Sequence, residues 1–344
     1  MNHVGIDLHK TESQICILKG DGTMIEQRIA TSRDRLEAVL RSHRPARVLL
    51  EAATESEWVA CHLEACGFEV VVADPNYAPM YAHRSQRIKT DRRDARMLAE
   101  ACGAGTYRAA HRRSPAQRYV QSELMVRDTL VRARSRHMAV VRAELRRNGW
   151  RLRSGGISTF VRRVGELALP QATRELIAPL LCMIDALTEQ LHDVNRRLAQ
   201  RVKGDALYAR LQTAPSIGPV TAVAFVAALD QVERFDHARQ VRCYLGLVPR
   251  ERSSGEIQRR GHITKRGNSR MRWLLVEAAW RLIRSKRPDA APLQAWAIRI
   301  AARRGRRIAA VALARRLAGI LYALWRDQTD FTATPRRASA QVAA

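Results

Sequence analysis

The sequence lacks the features that mark secreted proteins, proteins with structural zinc sites and membrane-spanning proteins. Its six cysteines form no CxxC pair and no Cys/His ligand spacing, so we expect reduced thiols and neither a disulfide framework nor a zinc ribbon. The first residues, MNHVGIDLHK, contain no apolar core of a signal peptide. The late apolar stretch from Val311 to Trp325 is interrupted by Arg315 and Arg316, so we expect no membrane-spanning segment. These absences predict a cytoplasmic protein.

Acidic residues are scarce, and unevenly so. The formal net charge is +27, from 60 Lys and Arg against 33 Asp and Glu. Residues 1–105 hold 14 basic and 15 acidic side chains, a net of −1; residues 106–240 hold 23 against 12, a net of +11, and residues 241–344 hold 23 against 6, a net of +17. A GC-rich genome would explain an excess of arginine but not a neutral first third. The gradient therefore favours a nucleic-acid partner, because binding its phosphates releases condensed counterions.

Hydrophobic periodicity predicts an α/β domain followed by helices. Three strands lie within residues 4–30, with a hairpin turn at Asp21-Gly22, and strands then alternate with helices up to Gly103. The rest is helical and cationic, broken by a Gly/Ser-rich loop around 154–158. We expect an α/β domain over 1–112, a helical coiled-coil linker over 113–205, a mainly α C-terminal domain over 206–328 and a disordered tail over 329–344.

Two long helical stretches carry apolar stripes. The first, within 116–150, is interrupted by Arg127 and Arg134. The second, over about 173–202, keeps a 3-4 spacing for three heptads: Ile177, Leu180, Ile184, Leu187, Leu191, Val194 and Leu198. A single stripe usually packs inside its own domain. Two long helices with few other apolar faces favour a coiled-coil arm or an oligomerisation spacer.

A shorter motif, Ser216-Ile217-Gly218-Pro219, precedes a helix of small residues. It resembles the hairpin of helix-hairpin-helix DNA-binding modules, in which a glycine turn lets the amides at a helix N-terminus meet a phosphate. An ordinary Gly-Pro turn explains the same residues equally well, so both interpretations stay open.

Four acids of the first domain stand where chemistry would require them. Asp7 lies in an apolar strand and Glu51 ends another, whereas Asp91 and Asp94 share one face at the start of a helix. Structural roles remain open for the last three, as strand-end or first-turn acids, but an unpaired acid in a buried strand is costly. Together they favour a site for two Mg²⁺ ions, because converging carboxylates repel unless divalent cations neutralise them.

A competing class shares the opening strand. Sugar kinases and actin-like ATPases begin with a similar Gly-Ile-Asp strand, but a Gly-Thr turn usually follows it. Leu8-His9-Lys10 replaces that turn here, and no later glycine-rich phosphate loop is present. The kinase interpretation is therefore disfavoured.

Taken together, these motifs resemble one family over about residues 3–326. GIDLHK, LLEA, ADP and KTDRRDA resemble the RuvC-like DEDD domain of bridge-RNA-guided insertion-sequence transposases of bacteria. The segments SIGPVTA and YLGLVPRERSSGEIQRRGHITKRGNSRMRWLLVEAAW resemble their C-terminal transposase domain. The resemblance implies a ribonuclease-H-like first domain with Asp7, Glu51, Asp91 and Asp94 as Mg²⁺ ligands. It also implies a linking coiled coil and a helical domain with a nucleophilic serine, which the Ser-Gly pattern maps to Ser254 rather than Ser253.

The same resemblance implies how such a protein works. The family cleaves DNA through a covalent serine–DNA link, in a composite site whose serine and acids come from different subunits of a homodimer or homotetramer. A structured RNA from the element's own non-coding end pairs with target and donor DNA, so a nucleoid-associated protein without a membrane partner is expected.

The chemistry of the serine segment supports the mapping. A serine that attacks a phosphodiester needs deprotonation and charge neutralisation. His262 is the only histidine in the loop, so activation by the metal-binding acids is more plausible than a Ser-His couple. Gly255 allows a close backbone approach. We expect phosphate contacts from nearby cations, namely Arg250, Arg252, Arg259, Arg260, Lys265, Arg266 and Arg270.

Two other functions compete with a guided recombinase. A RuvC-like junction nuclease would use water at the metal site, but leaves the basic C-terminal domain without a role. A non-catalytic nucleic-acid-binding protein would leave the four acids without one.

Overall fold

The computed structural model describes residues 1–81, 90–254 and 257–333. The chain divides into two compact units, unit 1 from Met1 to Arg113 and unit 2 from Ser114 to Ala344.

Unit 1 is a mixed α/β domain. Its elements in chain order are β1 (Asn2–Leu8), β2 (Glu12–Leu18), β3 (Met24–Ala30), α1 (Arg33–Leu40), β4 (Ala46–Glu51), α2 (Ser56–Ala65), β5 (Glu69–Ala73) and α3 (Asp91–Ala104). The sheet has the order β3-β2-β1-β4-β5; β1, β2 and β3 pair antiparallel, and β4 pairs parallel with both β1 and β5. The α/β prediction for the first domain is confirmed.

The two faces of the sheet bury different helices. Alternate residues such as Val4, Ile6, Val48 and Leu50 share one core with α1 and α2. Leu49 faces the other way and packs with α3, and so does Cys16 of β2. Because strand side chains alternate between faces, Gly5 and Asp7 belong to the α3 face.

Small residues bring α3 unusually close to the sheet. A Cβ added at Gly5 would lie 2.2 Å from the carbonyl oxygen of Ala95 and 2.3 Å from the amide nitrogen of Ala99. Ion pairs hold the N-terminal half of the same helix, because Glu26 of β3 binds Arg92 and Arg96. The position of α3 is therefore fixed by backbone contact at one strand and by charge at another.

Unit 2 is mostly helical. Its elements are α4 (Pro115–Arg147), α5 (Phe160–Gly165), α6 (Gln171–Val202), α7 (Ala206–Thr213), α8 (Pro219–Leu229), α9 (Ala238–Tyr244), β6 (Pro249–Ser254), β7 (Ile257–Ile263), α10 (Ser269–Ile283), α11 (Ala291–Arg304) and α12 (Arg306–Arg326). The helical prediction is confirmed, but the antiparallel ribbon of β6 and β7 was not predicted. Predicted linker and C-terminal segments both belong to this unit.

The heptad stripe of α6 packs against α4 of the same chain. Val194 and Leu198 share a core cluster with Val120 and Leu124, whereas Ile177 and Ile184 cluster with the far end of α4. The pairing is thus antiparallel. It buries the stripe within the chain, so these residues are not available as an oligomerisation face.

The core of unit 2 is built on α8 and α12. Every residue of α8 from Thr221 to Leu229 is buried. By length and composition α12 is apolar enough to cross a membrane, but 56% of its apolar window is buried inside the protein. It packs against α9, α10 and α11, which accounts for its apolar composition.

We expect Gly5→Ala to lower the free energy of unfolding by about 2 kcal/mol, because the new methyl group would overlap the backbone of α3. Chemical denaturation of the full chain measures the change. Gly20→Ala is the matched control, since a Cβ there meets nothing within 4 Å. Equal unfolding midpoints for the two variants would contradict the close contact between β1 and α3.

Candidate active site

Two of the predicted acids meet at one edge of the sheet. The parallel strands β1 and β4 pair with Ile6 opposite Leu50, which places the next residues, Asp7 and Glu51, side by side. Both lie on the α3 face, since their neighbours Ile6 and Leu50 are buried with α1 and α2.

The other two acids begin the helix that covers this face. Thr90 caps α3 by accepting a hydrogen bond from the Arg93 amide, which makes Asp91 the first helical residue and places Asp94 within the first turn. Asp94 is only 6% exposed, whereas the Asp91 side chain is half exposed. A carboxylate at the start of a helix also gains from the helix dipole.

The three other acids act electrostatically on Asp7. Burial raises the pKa of the Asp7 carboxyl above 3.8, and the charges of Asp94, Asp91 and Glu51 each raise that pKa further. His9 acts in the opposite direction; its Nε2 atom lies 3.4 Å from Asp7 Oδ2 and 3.4 Å from Asp91 Oδ1.

Asp7 and Asp91 differ from Asp74, Glu57 and Glu64 of the same unit in their partners. Asp74 is paired with Arg108, and Arg112 binds both Glu57 and Glu64. Within residues 1–81 and 90–113, Asp7 and Asp91 form ion pairs with His9 alone, which is charged only when protonated.

A divalent cation fits this arrangement. Ligand atoms of Asp7, His9 and Asp91 lie within 4.8 Å of one another, and Asp94 and Glu51 add carboxylates near them. Carboxylate oxygens are the ligands that Mg²⁺ prefers, and a cation would relieve the repulsion that raises the pKa of Asp7.

A second cluster was not predicted from the sequence. His62, in the last turn of α2, and Cys66, the residue that caps its end, have 3.9 Å between Nε2 and Sγ, and Glu37 of α1 lies beside them. Arg41 donates a 2.7 Å hydrogen bond to Glu37, so the carboxylate of this cluster already has a cationic partner.

The predicted serine ends a strand of unit 2. Ser254 is the last residue of β6, paired with Ile257 of β7, and Ser253 is paired with Gln258. Arg252 is the register partner of Arg259, and Arg260 that of Glu251. Gly255 and the side chains of residues 252–260 lie outside the described residues.

The loop after β7 is held tightly against the end of α9. A Cβ at Gly246 would lie 2.1 Å from the carbonyl oxygen of Arg266, and one at Gly267 would lie 2.1 Å from that of Tyr244. Both glycines have a positive φ, of 66° and 75°. Arg272 donates from Nη1 to the carbonyls of Leu245, Arg266 and Gly267, which ties α10, α9 and the loop together.

Sequence comparisons now add to this geometry. A DEDD transposase family model of the IS110 type, described as "Transposase", matches residues 4–148, and the model "Transposase IS116/IS110/IS902 family" matches residues 208–294. A "Probable family 20 transposase" of Pseudomonas aeruginosa is 30% identical over 337 residues, covering 96% of this chain and 98% of that protein. The chain belongs to the IS110/IS116/IS902 transposase family.

Two further relatives agree. The "Transposase for insertion sequence element IS1111A" of Coxiella burnetii is 28% identical, covering 95% of this chain and 90% of that protein. The "Transposase for insertion sequence element IS1328" of Yersinia enterocolitica is 27% identical, covering 96% and 98%. The protein is thus an insertion-sequence transposase, a DNA-recombining enzyme, and its DEDD family uses a divalent metal.

The cations predicted to bind nucleic acid occupy different environments in this transposase. Arg250, Lys265 and Arg266 are exposed. Arg270 is engaged within unit 2, because it binds the Asp128 carboxylate of α4 and donates to the Gln121 carbonyl oxygen at 3.3 Å. These contacts favour a structural role for Arg270 over a phosphate contact.

The helix-hairpin-helix prediction needs one correction. Helices α7 and α8 are joined by residues 214–218, but the left-handed residue of this turn is Ser216, with φ 66°. Gly218 has φ −103°, so its backbone does not require glycine. The serine, not the glycine, makes the turn.

Sequence reasoning missed two residues of these sites. His9 lies in GIDLHK, two residues after Asp7 and just beyond the end of β1. Nothing in the sequence pattern around it indicates that its side chain bridges two acids. Arg272 follows Arg270 at the start of α10, where the sequence shows only another arginine. The paired glycines Gly246 and Gly267 were the available signal for the tight loop.

We expect Asp7→Asn to raise the melting temperature of the transposase in EDTA at neutral pH by about 4 °C, because it removes a carboxylate whose ionised form is disfavoured in the fold. A raised pKa makes ionised Asp7 destabilising at high pH and neutral Asp7 harmless at low pH. The gain should therefore shrink as the pH falls toward 3.8.

Thermal unfolding across this pH range, followed by circular dichroism, measures the effect. Asp34→Asn, at an exposed position of α1, is the control and should bring no gain. Mg²⁺ should stabilise the wild type more than Asp7→Asn. A variant that melts at or below the wild-type temperature throughout would show that the acids do not repel.

Proposed function

We propose that this transposase cuts and rejoins DNA strands through a covalent link to Ser254, with Mg²⁺ held by Asp7, Glu51, Asp91 and Asp94. The observation that carries the proposal is the convergence of these four carboxylates, three of which raise the pKa of the fourth. The RuvC-like character of unit 1 is part of the proposal, and the antiparallel three-strand start of its sheet supports it.

The acids hold the metal in this mechanism, and His9 orients two of them. Asp7, Glu51, Asp91 and Asp94 would hold the metal at the edge of the sheet, and Mg²⁺ bound there supplies Lewis-acid activation and charge neutralisation for phosphoryl transfer. The half-exposed Asp91 stands on the solvent side of the cluster, where a phosphodiester can approach. His9 bridges Asp7 and Asp91 and orients both carboxylates.

The serine step is a phosphoryl exchange. The Ser254 Oγ atom bonds to phosphorus, the bond from phosphorus to a sugar oxygen of the departing strand breaks, and the hydroxyl proton passes to that oxygen through solvent or a carboxylate. Attack by a sugar hydroxyl of the incoming strand reverses the exchange and frees the serine. One phosphodiester replaces another, so no energy-rich cofactor is needed.

The cations of the ribbon and its loop serve the phosphates in this scheme. Exposed Arg250, Lys265 and Arg266 are available to the backbone of the bound strand, and Arg252, Arg259 and Arg260 are proposed for the same role. The tight packing of residues 264–268 against α9 supports it, because cations on an anchored loop lose little freedom when they bind.

We further propose that an element-encoded structured RNA guides target choice, and that a homodimer or homotetramer acts at the nucleoid. The domain plan of the proposal keeps 1–112 as the catalytic α/β domain, 113–205 as the helical linker and 206–328 as the transposase domain. The positive net charge of residues 106–344 supports this proposal, because it exceeds what contact with the DNA at the cleavage site alone would require.

We expect a covalent protein–DNA adduct when the purified transposase meets nicked donor DNA, its RNA and Mg²⁺. The adduct should vanish in Ser254→Ala, which lacks the nucleophile, and persist in the neighbouring control Ser253→Ala. Asp94→Asn should reduce adduct formation about a hundredfold or more, because it weakens the metal site. Denaturing gels with labelled DNA measure it.

Other outcomes separate the competing functions. Adduct-free nicks made equally well by both serine variants would support a nuclease that uses water. If neither the wild type nor any acid-to-amide variant cleaves the DNA, the result would support a binding protein without catalysis.

We expect one discrete transcript from the element's non-coding end to copurify with the transposase expressed with that element. RNA sequencing of the purified complex, against the same preparation from cells that lack the flanking segment, measures enrichment. Random cellular RNA in both preparations would contradict guidance and leave the serine chemistry unaffected.

A further inference from the structure

A second cationic surface lies far from the serine ribbon. Arg303 and Arg304 end α11, Arg306 and Arg307 begin α12, and all four are exposed. Gly305 alone joins the helices, with φ 86° and ψ 155°, a conformation essentially restricted to glycine. We call residues 303–307 the arginine turn. Its four guanidinium groups have no carboxylate partner among the residues that the structure describes.

Arg303 and Arg304 lie in the last turn of α11, where cations favour the helix dipole, so stability accounts for them but not for Arg306 and Arg307. Arg306 and Arg307 occupy the first turn of α12, which contains no acid, and a cation there opposes the helix dipole. Four neighbouring cations also repel one another. An anionic partner would relieve both costs.

An apolar groove adjoins the arginine turn. It has a volume of about 890 Å³ and is lined by Trp280, Ile283, Ala297, Ile298, Ala301 and Ala302, with Arg284 and Arg306 as its charged residues. Ile298 is 54% exposed although it is apolar. The Arg284 Nε atom donates to the Trp280 carbonyl oxygen, and within the described part of the chain its other donors make no hydrogen bond. Among the described residues, no acid lines the groove.

We propose that this surface binds an unpaired DNA strand, with its phosphates on the arginine turn and one nucleobase in the groove. Arginines beside an apolar and aromatic wall are the combination that single strands use, because every base has an apolar face and every linkage a charge. A duplex keeps its bases stacked and cannot fill the groove.

The lining favours DNA over RNA. Among the described residues that line it, no side chain can accept a hydrogen bond, so a ribose 2′-hydroxyl would gain no partner there. A deoxyribose carries no such group. DNA is also the nucleic acid on which this family acts.

The surface is separate from the ribbon that carries Ser254. Helix α10 runs from Ser269, beside the loop of that ribbon, to Ile283, beside the groove. Its 15 residues correspond to about 22 Å. The inference depends on the family's action on DNA and not on serine chemistry, so it goes beyond the function proposed above.

The test measures binding of the full chain to labelled oligo-deoxyuridine, oligo-uridine and a duplex of the same length, by fluorescence anisotropy in EDTA, so that cleavage plays no part. We expect substitutions in the arginine turn to weaken binding of oligo-deoxyuridine more than binding of the other two. The double variant Arg306→Ala/Arg307→Ala should weaken the binding of oligo-deoxyuridine about tenfold. The slope of the logarithm of the binding constant against the logarithm of the salt concentration should become shallower by about 1.4, as expected for two lost phosphate contacts on a single strand.

A second pair of variants tests the groove. Ile298→Asp should weaken binding about tenfold and abolish the preference for a base over an abasic site. Ile308→Asp adds the same charge to the first turn of α12, at a 48% exposed residue that does not line the groove, and should have a smaller effect. Arg136→Ala/Arg197→Ala, on exposed positions of α4 and α6, controls for general charge loss. Thermal unfolding confirms that each variant is folded.

Three outcomes would overturn the proposal. A larger loss of oligo-uridine or duplex binding than of oligo-deoxyuridine binding in Arg306→Ala/Arg307→Ala would show that the occupant of this surface is not a DNA single strand. Equal losses of affinity in Arg306→Ala/Arg307→Ala and Arg136→Ala/Arg197→Ala would show that the arginine turn contributes only general positive charge. Equal effects of Ile298→Asp and Ile308→Asp, together with equal binding of abasic DNA, would remove the nucleobase from the groove.

Discussion

Mutual repulsion among four carboxylates is the constraint on which unit 1 is built. Burial of Asp7 and the charges of Asp94, Asp91 and Glu51 all raise the pKa of its carboxyl, so ionised Asp7 is disfavoured in the fold. Such a cluster persists only where the surrounding packing fixes its members. Parallel pairing of β1 with β4 fixes Asp7 beside Glu51, and the contact of α3 with Gly5 fixes Asp91 and Asp94 above them.

Glycine at a backbone contact recurs in unit 2. Gly5 lets a helix approach a strand, and Gly246 with Gly267 lets a loop approach the end of α9. In both places the residues with proposed chemistry, Asp91 in one and Lys265 in the other, stand beside the contact and not in it. Function thus depends on side chains whose positions are set by backbone atoms, so variants at these glycines would affect chemistry without removing any reactive group.

Much of unit 1 could be predicted from the sequence because its signals are local. A strand that ends in Glu51 and a helix capped by Thr90 are visible in short windows, and strand alternation is enough to bring Asp7 and Glu51 to one face. The contact of His9 with two acids depends on tertiary placement, which no local pattern encodes. The same holds for Gly5, whose neighbours Ala95 and Ala99 lie about ninety residues away.

Unit 2 was harder to predict for a different reason. The ribbon strands PRERSS and IQRRGHI are polar on both sides, so they give no alternation of apolar and polar residues. The stripe of α6 was visible, but whether it packs within the chain or between chains depends on the partner, and α4 proved to be that partner. Arg270 looks like its neighbours in the sequence and differs only because Asp128 lies opposite it.

The division of charge between the units has a physical reason. Where arginine and carboxylate meet in unit 1 they pair, as Asp74 does with Arg108, and a paired carboxylate is a poor ligand for a metal. Asp7 and Asp91 meet only a histidine among the described residues, which a divalent cation can displace or join. A protein that holds both a cation and a polyanion benefits when the arginines near its candidate metal-binding acids pair elsewhere, as Arg92 does with Glu26. The nearly neutral first third limits the number of arginines that could compete with a metal for these acids.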